Sequence, residues 1–186
     1  MRIGLYIFMF AIIIVLNTAE GDIRTRREVN FNQMQTTKKF NIYHHFHKLC
    51  LNAHNRYRAK HGVKKLRSNS TLYVLALRWA GRLANLDDVE KVTHQQGLHI
   101  GENIYWRTGN SLLYTNTAQD AVAAWYNERL KYDYNSGVYS EETSHFTQLV
   151  WASTTDLGCG YKISLKGTMF VVCNYFPQGN IVWSIY

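Results

Sequence analysis

One proline and three cysteines in 186 residues set the first limits on this chain. A single proline excludes collagen-like repeats and proline-rich linkers. Three cysteines are too few for a small disulfide-stapled scaffold, and an odd number leaves one thiol over. Long apolar runs are also missing. The longest, from Ile3 to Leu16, covers about 14 residues and is broken by Gly4 and Tyr6, short of the ~20 needed to cross a bilayer. Acidic residues are scarce in one place: residues 22–67 carry twelve Lys and Arg against two acids, whereas residues 68–186 carry eight against ten. The formal charge of +8 is therefore a feature of the first third of the chain.

The opening residues read as a secretory signal peptide, residues 1–21. Arg2 supplies the positive start, the apolar run follows, and Ala19 and Gly21 offer a small-residue cleavage site. Its removal leaves about 165 residues, enough for one domain with an ordinary core. The expected product is secreted, with no transmembrane segment, as a monomer or weak dimer. Residues 22–40 are polar and basic without sustained periodicity, and are expected to form an arm. Arg24-Thr25-Arg26-Arg27 is either a processing site or an ordinary basic cluster. Such an arm is either simply solvated or meets acidic glycans or anionic lipid heads. Nucleic acid is a poor partner for an exported chain with no nucleic-acid module.

Residues 41–186 hold the periodic segments. Phe46, Leu49, Cys50, Ala53 and Tyr57 recur at helical spacing, with Gly62 as a stop. Leu72, Leu75, Ala76, Trp79, Leu83 and Leu86 predict a second helix capped by Ser68 or Ser70. Ala118, Ala121, Val122 and Trp125 predict a third, capped by Asn116 or Thr117. The period then changes to two: Leu157, Cys159, Tyr161 and Ile163 alternate with Gly158, Gly160, Lys162 and Ser164, as on a strand with one buried face. Lys166-Gly167-Thr168 turns the chain into Met169–Tyr175, apolar almost throughout and hence central. Phe146–Trp151 and Asn103–Trp106 read as two more strands. Helices early and strands late predict an α+β fold with helices on a mainly antiparallel sheet.

Cys159 and Cys173 lie in neighbouring strand-like runs, so a disulfide between them is expected, worth about 3 kcal/mol for a loop near 15 residues. Cys50 is expected to be a buried, inert thiol rather than an intermolecular link. Asn69-Ser70-Thr71 is an N-glycosylation acceptor.

Two segments carry the strongest signal: Ser144-His145-Phe146-Thr147-Gln148-Leu149-Val150-Trp151, and Phe170-Val171-Val172-Cys173-Asn174-Tyr175-Phe176-Pro177-Gln178-Gly179-Asn180. With Ala53-His54-Asn55-Arg56-Tyr57-Arg58 they resemble the signatures of the CAP superfamily, whose members include cysteine-rich secretory proteins, venom antigens and plant pathogenesis-related-one proteins. The resemblance spans about residues 41–186. It implies an α-β-α sandwich, the Cys159–Cys173 pairing, and a His/Glu tetrad at His94, Glu102, Glu128 and His145. It departs in having Ser144 before His145 where many members have Gly, and in lacking most extra disulfides. The few cysteines and the Gly-Asn-Ile-Val-Trp ending look closer to the Golgi-associated, plant-related branch than to venom toxins, though a signal peptide is unlike that branch.

The resemblance implies that His94 and His145 contact a divalent metal such as zinc, weakly, with Glu102 and Glu128 behind them. Two imidazoles with waters make an open site. A hydrogen-bonded network that merely fixes loops accounts for the same four residues. The tyrosines of the 132–139 segment, Tyr132, Tyr134 and Tyr139, correspond to a loop that borders a sterol groove in several relatives. The expected role is that of a sterol- or lipid-binding extracellular scaffold. The alternatives are an interaction protein acting on an extracellular receptor and, less favoured, a metal-dependent hydrolase with Glu102 or Glu128 as base. No catalytic residue is assigned, because HExxH, nucleophile-elbow and P-loop motifs are absent.

Overall fold

The computed structural model describes residues 3–109 and 113–181. The chain divides into two compact units, Met1–Ile42 and Tyr43–Tyr186. Helix α1 runs Ile3–Lys60. The backbone of residues 22–40, which lack an apolar period, is therefore helical. The first two residues of the signal-peptide reading lie outside the described residues. No helix among the described residues is long and apolar enough to cross a membrane.

In the second unit the last turns of α1 lead to β1 (Arg67–Ser68) and α2 (Ser70–Leu86), then β2 (Gly101–Thr108), α3 (Tyr114–Asn127), α4 (Ser144–Leu149), β3 (Asp156–Ile163) and β4 (Thr168–Phe176). The strands form one sheet in the order β1-β3-β4-β2. β1 joins β3 in parallel, whereas β3–β4 and β4–β2 are antiparallel. Helices cover both faces, making an α-β-α sandwich around a mixed but mainly antiparallel sheet. β4 is central, as its almost wholly apolar run requires, and eight of its nine positions are buried.

The two faces divide by register. Phe170 and Val172 join Ile104 of β2 and Ala76, Ala80, Leu83 and Ala84 of α2 in one core cluster. On the other face, Tyr175 meets His54 of α1, and Phe46 of α1 packs on Tyr161 with ring centroids 4.5 Å apart. β3 is buried through Leu157–Tyr161, which corrects the expectation of one buried face. The glycines occupy a packing face: a Cβ on Gly158 would lie 2.0 Å from the Tyr73 nitrogen, and one on Gly160 2.7 Å from the Leu77 Cα. The alternation thus records how closely α2 approaches the strand.

Other expectations need correction. Phe146–Trp151 is not a strand, since residues 144–149 form α4. A short apolar run does not itself distinguish helix from strand. The cap of α2 is Asn69, not Ser68 or Ser70: its Oδ1 accepts from the Thr71 and Leu72 nitrogens at 3.0 and 3.2 Å. α3 begins at Tyr114, before Asn116 and Thr117, with Leu113 at the cap position and no side-chain cap bond. Thr117 instead donates back to the Leu113 carbonyl at 3.1 Å.

Within the second unit, a buried cation fastens the last turn of α1. Arg58 is fully buried and donates to the carbonyls of Lys64, Leu149, Trp151 and Thr154 at 2.7–3.0 Å. Those bonds compensate the desolvation of the guanidinium and tie the chain after α4 to the helix. Cys159 and Cys173 face each other in register and form the disulfide, their Cα atoms 4.1 Å apart. Cys50 is a buried free thiol, and burial pushes its pKa far up.

Candidate functional site

Two carboxylate–imidazole pairs bring both rings and Glu102 to one cavity, with Glu128 bonded to His145 but outside the lining. The first rises from the loop after α2. Glu102, second residue of β2, accepts His94 Nδ1–H at 2.7 Å and the Gln95 backbone N–H at 3.1 Å on Oε1. Its Oε2 accepts Gln95 Nε2 at 2.5 Å. The Glu102 side chain is 5% exposed and that of His94 58%. The hydrogen bond that His94 donates to Glu102, opposed by burial and helped by the carboxylate charge, raises the His94 pKa above its ordinary 6.5.

The second pair is built from α3 and α4. Glu128 follows α3 directly and accepts His145 Nδ1–H on Oε1 at 2.7 Å. Its Oε2 accepts the backbone N–H groups of His145 and Phe146 at 3.0 and 3.1 Å. Thr143, at the α4 cap position, makes no side-chain cap bond, so Glu128 satisfies α4 donors that would otherwise be orphaned. Trp125 stacks near-parallel to the His145 ring at 6.4 Å.

The sheet edge brings these pairs together. Glu102 opposes Asn174, on the α2 face, whereas Asn103 opposes Cys173, on the α1 face, because neighbouring strand residues point to opposite sides. Asn103 Nδ2 donates to the His145 carbonyl at 3.1 Å and to the Tyr175 hydroxyl at 3.0 Å. β2 ends the strand order, so the cleft wraps over an edge with one pair from each layer. His94, Glu102 and His145 all line a cavity of about 240 Å³.

A carboxylate only accepts, so each ring places its proton on Nδ1 and keeps Nε2 as the nitrogen outside that bond. This is the tautomer a metal-binding imidazole uses. The donors do not close into a four-ligand cage. Among the described residues, the sulfurs of Cys50, Cys159 and Cys173 are the only group of three or more metal-binding side chains whose ligand atoms lie within 4.8 Å of one another, and two of those are in the disulfide. The residues fit an open site with two imidazole contacts and oriented rings. Asn174 Nδ2, buried behind Gln95 without a hydrogen-bond partner among the described residues, is a donor and offers nothing to a cation.

The carboxylates are poorly placed for general-base catalysis, since both oxygens of each already accept bonds. Ser144 donates to the Glu141 carbonyl at 2.9 Å and is not paired with His145.

The expected tyrosines separate. Tyr132 and Tyr139 line a second cavity of about 230 Å³ with Trp151 and Ile181. Tyr139 and Asn180 line both cavities, so the two adjoin. Tyr134 stands outside, 61% exposed, with its ring edge-on to Tyr132 at 4.9 Å. Asn69 lies away from both, its carboxamide engaged as a helix cap.

Gln95, Asn103, Gln148 and Asn180 are site residues that the sequence expectations omitted. Asn180 accepts from Thr147 Oγ1 at 2.7 Å and donates to the Ser144 carbonyl at 2.8 Å, stapling the start of α4. Gln148 Oε1 accepts the Gly179 backbone N–H at 2.8 Å. For Gln148 and Asn180 the one sequence signal is position, as polar residues in the two signature segments; Gln95 and Asn103 lie outside those segments.

Comparison with known proteins agrees with this architecture. Human Golgi-associated plant pathogenesis-related protein 1 is 34% identical over 137 residues, covering 74% of this chain and 86% of that protein. Tobacco (Nicotiana tabacum) pathogenesis-related protein 1C is 36% identical, covering 71% and 75%. Secreted protein RBT4 of Candida albicans is 37% identical and covers 74% of this chain, which spans only 36% of that longer protein. The fold matches the crystal structure of Na-ASP-1 with a TM-score of 0.62 at 21% identity, over 74% of this chain and 40% of the other. It matches Schistosoma mansoni venom allergen-like protein 4 at 0.56 and 22%, over 73% and 90%. Residues 51–175 match the family described as CAP, cysteine-rich secretory protein family. With its sandwich, its disulfide and its paired imidazoles, the chain belongs to the CAP family.

Proposed function

We propose that this chain is an exported binding protein, not an enzyme, whose working site is the His/Glu cleft. His94 and His145 would hold a divalent cation such as zinc weakly, with Glu102 and Glu128 orienting the rings. The observation carrying this reading is the pair of 2.7 Å bonds from Nδ1 of each ring to a carboxylate, with both rings lining one cavity. A bound cation would supply positive charge for an anionic partner group; the chain supplies two imidazoles, each oriented by a carboxylate at Nδ1. Saturation of both carboxylates favours positioning over catalysis.

Calorimetric titration of the secreted protein with zinc tests this. One weak site is expected, lost in His94→Ala and His145→Ala. Failure to bind zinc would leave the cleft as a loop-fixing network and favour a receptor-interaction protein. N-terminal sequencing of the secreted product tests export, with residue 22 expected first.

A second reading is lipid capture, favoured by the cavity at Tyr132 and Tyr139. At about 230 Å³ it falls below the ~300–1,000 Å³ of pockets that enclose a drug-sized ligand. It would therefore take one end of a flat molecule such as a sterol. Cholesterol binding that falls in Tyr132→Ala and Tyr139→Ala supports it; no binding at micromolar protein ends it.

A further inference from the structure

Between Tyr43 and Arg67 the chain has seven Lys or Arg and no Asp or Glu. Two of the seven are used internally: Arg58 is buried on carbonyls and Arg67 pairs with Asp156. Lys48, Arg56, Lys60, Lys64 and Lys65 are all exposed. Lys48, Arg56 and Lys60 lie with exposed Asn52 on one i±4 row of α1, which spans about 18 Å at ~1.5 Å per residue. Lys64 and Lys65 continue past the helix end.

At the end of this row the cations gather on rings rather than on carboxylates. Tyr57 and Tyr126 stack with centroids 3.9 Å apart and planes 15° from parallel. Arg56 lies 5.3 Å from the Tyr57 ring, and Lys60 5.5 Å from Tyr57 and 5.9 Å from Tyr126. Arg129, arriving from the turn after α3, lies 4.4 Å over the same Tyr126 ring. His61 Nε2 is 3.1 Å from the Tyr126 hydroxyl. Burial, then Arg129 and Lys60, hold its pKa below the ordinary value. The ion pairs among the described residues include none of Arg56, Lys60 or Arg129. Ring faces hold these groups by cation–π attraction but leave their mutual repulsion uncancelled.

We propose that this row is a docking surface for a sulfated polysaccharide. Its form is a line of cations about three turns long, which suits a linear polyanion. The Lys48-Asn52-Arg56-Lys60 row carries no exposed apolar side chain of the kind an interfacial helix sinks into lipid. The stacked tyrosines fix Lys60 and Arg129 at one end, so the charges there lose less freedom on binding than free lysines would.

Heparin is a direct probe, using the full exported chain at 0.15 M salt and surface plasmon resonance. Lys60→Glu/Arg129→Glu is expected to lower heparin affinity about tenfold or more, since each basic group near an anionic surface contributes measurably. Lys60→Gln/Arg129→Gln, which removes charge without reversing it, is expected to give a smaller loss and keeps the test decisive if the reversal unfolds the chain. Binding should weaken steeply as salt rises and should persist in His94→Ala/His145→Ala, which separates this surface from the cleft. Wild-type affinity in both charge variants would overturn the proposal. So would binding abolished by neutralising Arg24, Arg26, Arg27, Lys38 and Lys39 alone, or binding to phosphatidylserine vesicles with none to heparin.

Discussion

Histidine does two different jobs in this molecule, and comparing them separates scaffold from site. In the core, His54 donates from Nδ1 to the Cys50 carbonyl and accepts at Nε2 from the Tyr175 hydroxyl, both at 2.8 Å. His47 accepts the Cys159 N–H on Nδ1 and donates from Nε2 to Ser68 Oγ. Both nitrogens of each ring are used and both residues are buried. In the cleft, His94 and His145 each give one nitrogen to a carboxylate. Burial, with like-charged neighbours adding to it, drives the core rings down to a pKa of about 4, whereas Glu102 raises His94. A neutral ring with both nitrogens committed holds structure; a ring with one committed is oriented for something else.

The largest effects are expected where the core is broken. Arg58→Met leaves four carbonyls without their donor and should cost about 3 kcal/mol or more. His54→Ala strips the Cys50 carbonyl and the Tyr175 hydroxyl of a partner and opens a cavity, costing about 2–3 kcal/mol. Urea unfolding measures both, with zinc affinity per folded molecule expected to be retained. If either variant abolished zinc binding while folded, the division between core and cleft would fail.

The next effect is pH dependence, with opposite signs for the two sets. His47 and His54 have folded pKa values of about 4 against 6.5 in the unfolded chain. As pH falls below about 6.5 the unfolded chain takes up protons first, so stability is lost between about 6.5 and about 4, on the order of 3 kcal/mol for each ring. His94 has a raised pKa, so its contribution is present below 6.5 and is lost as pH rises through its folded pKa; at 58% exposure it is small. Unfolding free energy against pH should therefore lose roughly half of this acid limb in His54→Gln, with His47 supplying the rest, and keep all of it in His94→Gln.

Glu102→Gln and Glu128→Gln keep shape but remove the charge behind each cleft ring. Zinc affinity should fall about 10–100-fold in each, with a smaller stability change than in the core variants. Equal zinc affinity in both Gln variants and wild type would mean that the carboxylates only fix loops.

The sequence carried the sheet's centre and the disulfide register, because local pattern encodes each; His94, Glu102, Glu128 and His145 were named from family resemblance, and the structure pairs each ring with a carboxylate. It did not carry α4. Phe146–Trp151 is too short and apolar to declare its period, and that helix is held by tertiary partners, Glu128 at its first N–H groups and Asn180 at Ser144. Nor did it reveal that the glycines of β3 face α2, or that Asn69 rather than a neighbouring serine is the cap. The difference between His54 and His145 was equally hidden, since residue type says nothing about how many ring nitrogens find a partner.

The smallest effect is expected at Ser144. Read as part of a strand, Ser144 and His145 would point to opposite faces; on α4 they are successive helical residues, about 100° apart around the axis. That leaves them close enough to ask whether the hydroxyl serves the imidazole. Ser144 Oγ instead donates to the Glu141 carbonyl, and His145 Nδ1 is taken by Glu128. Ser144→Ala should shift stability by no more than about 0.5 kcal/mol and leave zinc affinity unchanged. An ester-hydrolysing activity in the wild type that disappeared in Ser144→Ala would mean that the hydroxyl leaves Glu141 for the ring, and the cleft would then be an active site.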